Sequence, residues 1–359
     1  MLEKRLIDLR EEIFGKKRGI DGFLISSLSN LFYLTGFDGE GYALITKEKN
    51  ILFSDPIYTE QAQKESHQFQ VITDKAGEKE ARTKSIKRII KKEKIKKMAF
   101  EGHFLSYNDF KKYADSFSIE LVDGQGAVEK IRTVKDKNEI MKIRKSCRII
   151  TDSLEEVTEL IEPGLSELDI ATELAYTMRK KGAQKEAFEA IVVSGERSSL
   201  PHGIPSEQVI KEGELIIIDT GANYQRYNSD VTRTFIIGKE NTKQKEIYQI
   251  VFEAQKRVLE ALKPGIKCSE VDEIARGIIR KKGYGDYFAH ALGHGVGLDV
   301  HESPIVSTNH STVLVPGMVI TIEPGIYLPG IGGVRIEDTV LITEDGYEIL
   351  TWYPKTINI

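Results

Sequence analysis

One pattern occurs twice in the second half of the chain, and it constrains the fold more than any other feature. VTELIEPGLSELDIA begins at Val157 and VLEALKPGIKCSEVDEIA begins at Val258. Pro163 and Pro264 stand 101 residues apart, as do Arg179-Lys180-Lys181-Gly182 and Arg280-Lys281-Lys282-Gly283. Each copy then runs into an apolar, strand-like segment, FEAIVVSG and FAHALGHG. His202-Gly203-Ile204-Pro205 matches His301-Glu302-Ser303-Pro304 at an offset of 99, and the stretch from Gly213 to Gly221 matches Gly317 to Gly325 at 104. A duplicated pattern of this kind marks a duplicated piece of supersecondary structure. Each copy reads as helix, helix, then strands. Two copies packed face to face predict a pseudo-twofold α+β domain with sheets inside and helices outside.

The repeat places acids at matching strand positions. ELIIID ends on Asp219 and MVITIE on Glu323, while Asp230, just before VTRTFIIG, pairs with Glu337 of VRIEDTVLIT at an offset of 107. Strand alternation puts Val319, Thr321 and Glu323 on one face, and Arg335 with Glu337 on another. A carboxylate at the end of a buried apolar strand is costly unless it is paired or bound to a metal. Four of them related by a twofold axis converge and repel, and divalent metal answers that repulsion. His294 breaks the symmetry, because its counterpart is Ser194. It lies in Gly293-His294-Gly295-Val296-Gly297, where glycine permits close backbone approach. One imidazole with four carboxylates predicts Mn²⁺, Co²⁺ or Fe²⁺ rather than structural zinc. His202 and His301, both in His-x-x-Pro, are further functional candidates; His67, His103 and His310 receive no role. Gly-His-Gly-Val-Gly lacks the Lys-Ser/Thr of a phosphate loop and is not read as one.

The first part of the chain has a different texture. GFLIS (22–26), YALIT (42–46), ILFS (51–54), FQVIT (69–73), MAFEG (98–102) and IELVD (119–123) are short apolar runs with helical patterns between several of them. That alternation predicts an α/β domain. The boundary is placed at Asp123-Gly124-Gln125-Gly126, giving domains over 1–125 and 126–359. Residues 126 to about 161 read as one or two long helices.

Composition excludes several classes of function. Lysine plus arginine is 51 and aspartate plus glutamate 55, so 51 − 55 gives −4. That balance argues against nucleic-acid and membrane-surface partners. Segment 84–97 holds eight basic residues and one acid, but Ile86, Ile89 and Ile90 form a helical stripe, so a solvated lysine face is the better reading. Cys147 and Cys268 form no Cys-x-x-Cys pair and no disulfide framework. No apolar stretch approaches the roughly 20 residues of a membrane span. The opening MLEKRLIDLREEIF reads as an amphipathic helix and not as a signal peptide, which predicts a cytoplasmic protein.

Taken together, IDTGANYQRYNSDVTRT (218–234), GHGVGLDVHESP (293–304), TIEPGIY (321–327), GGVRIEDTV (332–340) and LPHGIPS (200–206) resemble the prolidase/aminopeptidase P group of metallopeptidases, with the pita-bread fold. NLFYLTGF (30–37) resembles the start of that group's creatinase-like N-terminal domain. The resemblance implies two divalent ions, manganese or cobalt first and iron or zinc next, held by Asp219, Asp230, His294, Glu323 and Glu337. Asp230 and Glu337 are expected to bridge the ions. It implies hydrolysis of the bond before proline by a metal-bridging hydroxide, with Glu323 carrying the proton and His301 steadying the oxyanion. His202, His290, His301, Tyr327 and Arg335 match substrate-binding and supporting positions. It also implies a homodimer.

The resemblance implies a proline-containing dipeptide or short peptide as substrate. Some dipeptidases of the group carry an arginine just after His-Glu-x-Pro; here Ile305 stands there, and 302–316 holds no lysine or arginine. The compact length and the likeness to microbial prolidases favour a dipeptidase instead. Two alternatives share the fold. A methionine-aminopeptidase-like enzyme fits poorly with the long N-terminal domain and Gly-Val-Arg-Ile-Glu-Asp. A non-catalytic peptide- or protein-binding module fits poorly with a complete ligand set.

Overall fold

A computed structural model describes residues 2–15, 19–74 and 80–359. It divides into two compact units, Met1–Arg132 and Thr133–Ile359. In the first unit the elements are α1 (Leu2–Phe14), β1 (Gly22–Ile25), α2 (Leu28–Thr35), β2 (Gly41–Thr46), β3 (Asn50–Ser54), α3 (Thr59–Glu65), β4 (Gln70–Thr73), α4 (Ala81–Lys92), β5 (Lys97–Phe100), α5 (Tyr107–Ser116), β6 (Glu120–Asp123) and α6 (Ala127–Arg132). All six apolar runs are strands of one sheet, ordered β4-β3-β2-β1-β5-β6. Only β2 runs against the others. In α4, Ile86, Ile89 and Ile90 are buried, so the apolar stripe of the basic segment packs inward. Leu6, Leu9 and Ile13 do the same in α1.

The first unit extends to Arg132, seven residues beyond the Gln125 boundary expected from the sequence. Packing explains the difference. Ala127 and Val128 of α6 are buried, and the Arg132 guanidinium donates to Asn30 Oδ1 at 2.6 Å in the interior of this unit. The predicted long helical stretch is accordingly two helices, α6 and α7 (Lys137–Thr158).

The second unit is built twice over. α7 and α8 (Glu167–Lys180) are followed by α9 (Thr242–Ala261) and α10 (Cys268–Lys281), and α8 and α10 begin and end 101 residues apart. Both are closed by a glycine in the left-handed region, Gly182 at φ +104° and Gly283 at +87°, where a Cβ would be strained. Small strands β7 (Lys185–Glu186), β10 (Ala222–Tyr224) and β11 (Tyr227–Asn228) form one sheet. β8 (Ile191–Ser194), β9 (Leu215–Thr220) and β12 (Val231–Ile236) form the core sheet of the first copy, in the order β12-β9-β8. The second copy supplies β13 (Gly293–Gly295), β14 (Glu302–Val306), β15 (Val319–Ile322), β18 (Asp338–Ile342) and β19 (Tyr347–Ile349), with the hairpin β16 (Gly325–Leu328) and β17 (Gly332–Arg335). Their order is β14-β13-β15-β18-β19.

The copies differ in ways that shape the site. FEAIVVSG yields strand β8, whereas of FAHALGHG only Gly293–Gly295 is strand. The Arg276 guanidinium donates to the carbonyls of Phe288 and His290, so those groups are satisfied outside any ladder. In the first copy Asp219 pairs with Thr232; in the second, Thr321 pairs with Thr339. The second ladder is thus slipped by two residues, an even number that keeps each side chain on its face.

Candidate active site

β9 is buried along its whole length and carries Asp219 near its end; Asp230 directly precedes β12. Glu323 directly follows β15, and Glu337 directly precedes β18. The two copies therefore deliver their acids from the same ends of matching strands. His294 sits at the middle of β13, where the pairing with β14 shifts between His294 and Gly295. A bulge of this kind re-aims a side chain. The flanking glycines are dictated by space: a Cβ at Gly293 would lie 2.0 Å from Thr321 O, and one at Gly295 would lie 2.3 Å from Ser303 O.

Asp230, His294 and Glu337 each bring one potential ligand atom within 4.8 Å of the others. His294 Nε2 lies 3.3 Å from Glu323 Oε1 and 3.6 Å from Asp230 Oδ2. Its Nδ1 faces Gly295 O at 3.0 Å, which leaves Nε2 aimed at the acids. Asp219 is tied to the group through Arg335, whose Nη2 donates to Asp219 Oδ2 at 2.6 Å. Among the described residues, Asp219 Oδ1 and Glu337 Oε1 are buried with no hydrogen-bond partner. Buried carboxylate oxygens left open in this way suit a cation.

The electrostatics follow from crowding. Burial pushes Asp230 well above the ordinary carboxylate range, and the charges of Glu337, Asp219 and Glu323 push it further. Glu337 is raised by burial and by Glu323 and Asp219. Glu323 behaves oppositely. Burial would raise it, but the hydrogen bond and charge of His294, then His290 and Arg335, hold it at about 2. Burial would lower His294, but the bond and charge of Glu323, the Gly295 carbonyl and the charge of Asp219 together raise it. Crowding thus favours the protonated form at Asp230 and Glu337 and the ionised form at Glu323.

The remaining candidates form a chain around the acids. Arg335 Nη1 donates to Tyr327 Oη at 2.8 Å and to Pro201 O at 3.1 Å. Tyr327 Oη lies 3.0 Å from His290 Nε2, and His290 Nδ1 lies 2.8 Å from Ala291 O. The carbonyl fixes the proton on Nδ1, so Tyr327 is the donor to Nε2. Burial pushes His290 down and Tyr327 up to about 12, keeping both neutral near pH 7. The His301 ring is 4.3 Å from that of His294, centroid to centroid, and is exposed. Partial burial and His294 lower its pKa. His202 is exposed in the turn after a short 3₁₀ segment, Gly195–Ser199. It reaches the group through its neighbour Pro201.

Two threonines complete the arrangement and were not anticipated. Thr232 Oγ1 donates to Glu337 Oε2 at 2.6 Å and accepts from Arg335 Nε at 3.1 Å. Thr339 Oγ1 donates to Asp230 O at 2.7 Å. Each lies two residues after an acid of its own copy; Thr232 reaches the other copy's carboxylate and Thr339 the backbone carbonyl of the other copy's Asp230. Asp230-Val231-Thr232 and Glu337-Asp338-Thr339 carry that signal in the sequence. Thr321 adds a third contact, accepting from His294 N at 3.0 Å and donating to Glu323 Oε1 at 3.1 Å.

Comparison with known proteins agrees over the whole chain. Residues 141–344 match metallopeptidase family M24, and residues 5–134 match the creatinase/prolidase N-terminal domain. An Xaa-Pro dipeptidase of Pyrococcus horikoshii is 45% identical, covering 94% of each chain. An uncharacterized peptidase of Bacillus subtilis is 42% identical over 97% of this chain and 98% of the relative. Among solved structures, an Xaa-Pro dipeptidase from Bacillus anthracis superimposes with a TM-score of 0.96 at 39% identity, covering 100% of both chains. An X-Pro aminopeptidase from Thermotoga maritima gives 0.87 at 40% identity, covering 95% of this chain and 98% of that one. The chain belongs to metallopeptidase family M24, carrying a creatinase/prolidase N-terminal domain ahead of a pita-bread catalytic domain.

Proposed function

We propose that this metallopeptidase hydrolyses the peptide bond before proline, with two divalent cations held by Asp219, Asp230, His294, Glu323 and Glu337. The observation that carries the reading is the buried convergence of acids from both copies on one imidazole, with two carboxylate oxygens left open. M24 metallopeptidases use divalent metal, and the oxygen-rich donor set favours manganese or cobalt, with iron or zinc as further choices. When bound, the metal supplies Lewis-acid polarisation of water and of the scissile carbonyl.

The chain's own residues do the rest. Glu323, held ionised near neutrality by His294, would take a proton from the attacking water and pass it to the leaving nitrogen. That nitrogen belongs to proline and has no hydrogen for the enzyme to grip. The substrate must instead be held by shape and by the acyl side. His301 stands beside His294 and donates to the carbonyl oxygen as charge develops there. His202 and His290 line the substrate pocket, the latter locked by Tyr327. Arg335 orients Asp219, Tyr327 and, through Thr232, Glu337.

Xaa-Pro dipeptides are the first choice of substrate, supported by the names of the relatives in Pyrococcus and Bacillus anthracis. A second reading, an aminopeptidase P that accepts longer chains, is favoured by exposed Ile305 and by the lack of lysine or arginine over 302–316 to grip a terminal carboxylate. Hydrolysis of Xaa-Pro compared with Xaa-Pro-Xaa by Mn²⁺- or Co²⁺-loaded protein separates them. Inertness toward both overturns the proposal. We also propose a cytoplasmic homodimer. Two buried, free cysteines suit a reducing compartment, and the dimer rests on the family likeness alone. No helix among the described residues is long and apolar enough to cross a membrane.

A further inference from the structure

Glu167 opens α8 and is fully buried, yet it takes no part in the metal site. Its carboxylate collects donors from one loop. Oε1 accepts from Ser194 N at 2.7 Å and Ser194 Oγ at 3.1 Å. Oε2 accepts from Ser206 N at 3.1 Å, Ser206 Oγ at 2.7 Å and Arg197 Nε at 3.1 Å. Arg197 extends the grip, its Nη2 donating to Ile204 O at 2.6 Å. One carboxylate therefore ties both ends and the middle of segment 194–206.

The inner side of the same loop is pinned to the active site. Gly333 N donates to Ser198 Oγ at 2.9 Å, and Arg335 Nη1 donates to Pro201 O. His202 directly follows the second anchor, exposed in the turn. The duplicated copy shows that this is a local departure and not a requirement of the fold. Glu167 corresponds to Cys268 and Ser194 to His294. Where the second copy places a candidate metal ligand, the first places a serine bonded to Glu167.

We propose that Glu167, with Arg197, is a positioning residue that fixes segment 194–206 so that His202 meets the substrate. The inference rests on the peptidase reading and adds a specificity-determining strap to it. A histidine on an untethered turn samples many positions, and displacement of about 1 Å in a positioning group costs up to about 10²-fold in rate.

The test uses full-length Glu167→Gln and Arg197→Ala, each alone and combined with His202→Ala, loaded with Mn²⁺. Hydrogen exchange followed by mass spectrometry reads the strap without reference to activity. Faster exchange confined to 195–206 is expected in both variants, at unchanged metal content. With an Xaa-Pro dipeptide, kcat/KM is expected to fall about 10-fold or more in Glu167→Gln and about 3-fold in Arg197→Ala, chiefly through KM. In the His202→Ala background either change should add less than about 2-fold, because coupled residues are not additive. Unchanged exchange in 195–206, or exchange raised throughout the second unit, overturns the strap. Equal losses with and without His202 overturn its link to that residue. Wild-type protein inert toward dipeptide and tripeptide alike overturns the peptidase reading, while the exchange measurement still decides the strap.

Discussion

Arg335 Nη2 lies 2.6 Å from Asp219 Oδ2, although 116 residues separate them, and this contact joins the two copies of the repeat at the candidate metal site. The other nitrogens of Arg335 hold Thr232, Tyr327 and Pro201. A planar fork is needed to serve all four, and lysine cannot replace it. Arg335→Lys and Arg335→Ala are therefore both expected to weaken Mn²⁺ binding by about 10–100-fold, as loss of an orienting partner does elsewhere. Titration calorimetry of metal into stripped protein measures it. Lysine restoring wild-type affinity would show that charge alone matters.

The metal-free protein should lose stability as pH rises. Asp230 and Glu337 have raised values in the folded chain, so the folded state holds protons that the unfolded state has released. Their effect begins above the ordinary 3.8 and 4.5 and grows until the raised values are passed. His294, raised above 6.5, adds to the same fall at higher pH. Glu323 is depressed and loses its contribution only as pH drops toward about 2. A thermal midpoint that declines from pH 5 to 8 in stripped protein, and is restored by Mn²⁺, is expected. Metal uptake should release protons, seen as a buffer-dependent heat. A flat midpoint in stripped protein contradicts the crowding.

Glu323→Gln removes both an anionic ligand and the proposed proton acceptor while keeping shape. Turnover should fall at least about 10²-fold, the lower end for a lost general base. Circular dichroism and the thermal midpoint with metal should show a folded protein. A loss under about 5-fold would assign the proton to another group.

Tyr327→Phe tests the chain from Arg335 to His290. It leaves Arg335 Nη1 one acceptor short and His290 Nε2 without its donor. Destabilisation of about 1–3 kcal/mol is expected, the usual cost of stranding buried polar groups. KM should rise more than kcat falls, since His290 is proposed to bind and not to transfer a proton. Unfolding and steady-state kinetics measure the two effects.

Much of this arrangement was legible because the chain states it twice. The acids at strand ends were found by matching Asp219 with Glu323 and Asp230 with Glu337, and the fold followed from the same match. Thr232 and Thr339 were equally available in the paired acid-x-Thr motifs, but their hydroxyls bond across copies, which no local pattern reveals. Glu167 was hidden for the opposite reason: its counterpart is Cys268, so comparison of copies passes over it. The domain boundary was misplaced because periodicity makes α6 continuous with α7 in character, whereas burial of Ala127 and Val128 assigns it to the first unit. The His290–Tyr327 bond depends on the register of a hairpin and on Arg335 behind it, and neither is written in the residues alone.

The central claim is that the two copies build one site for two divalent ions. Native mass spectrometry of Mn²⁺-loaded protein tests it most directly, comparing wild type with Asp230→Asn and Glu337→Gln. Two manganese ions per chain in the wild type are predicted, with both lost or sharply reduced in each variant. A single ion, or two ions that survive either substitution, would contradict it.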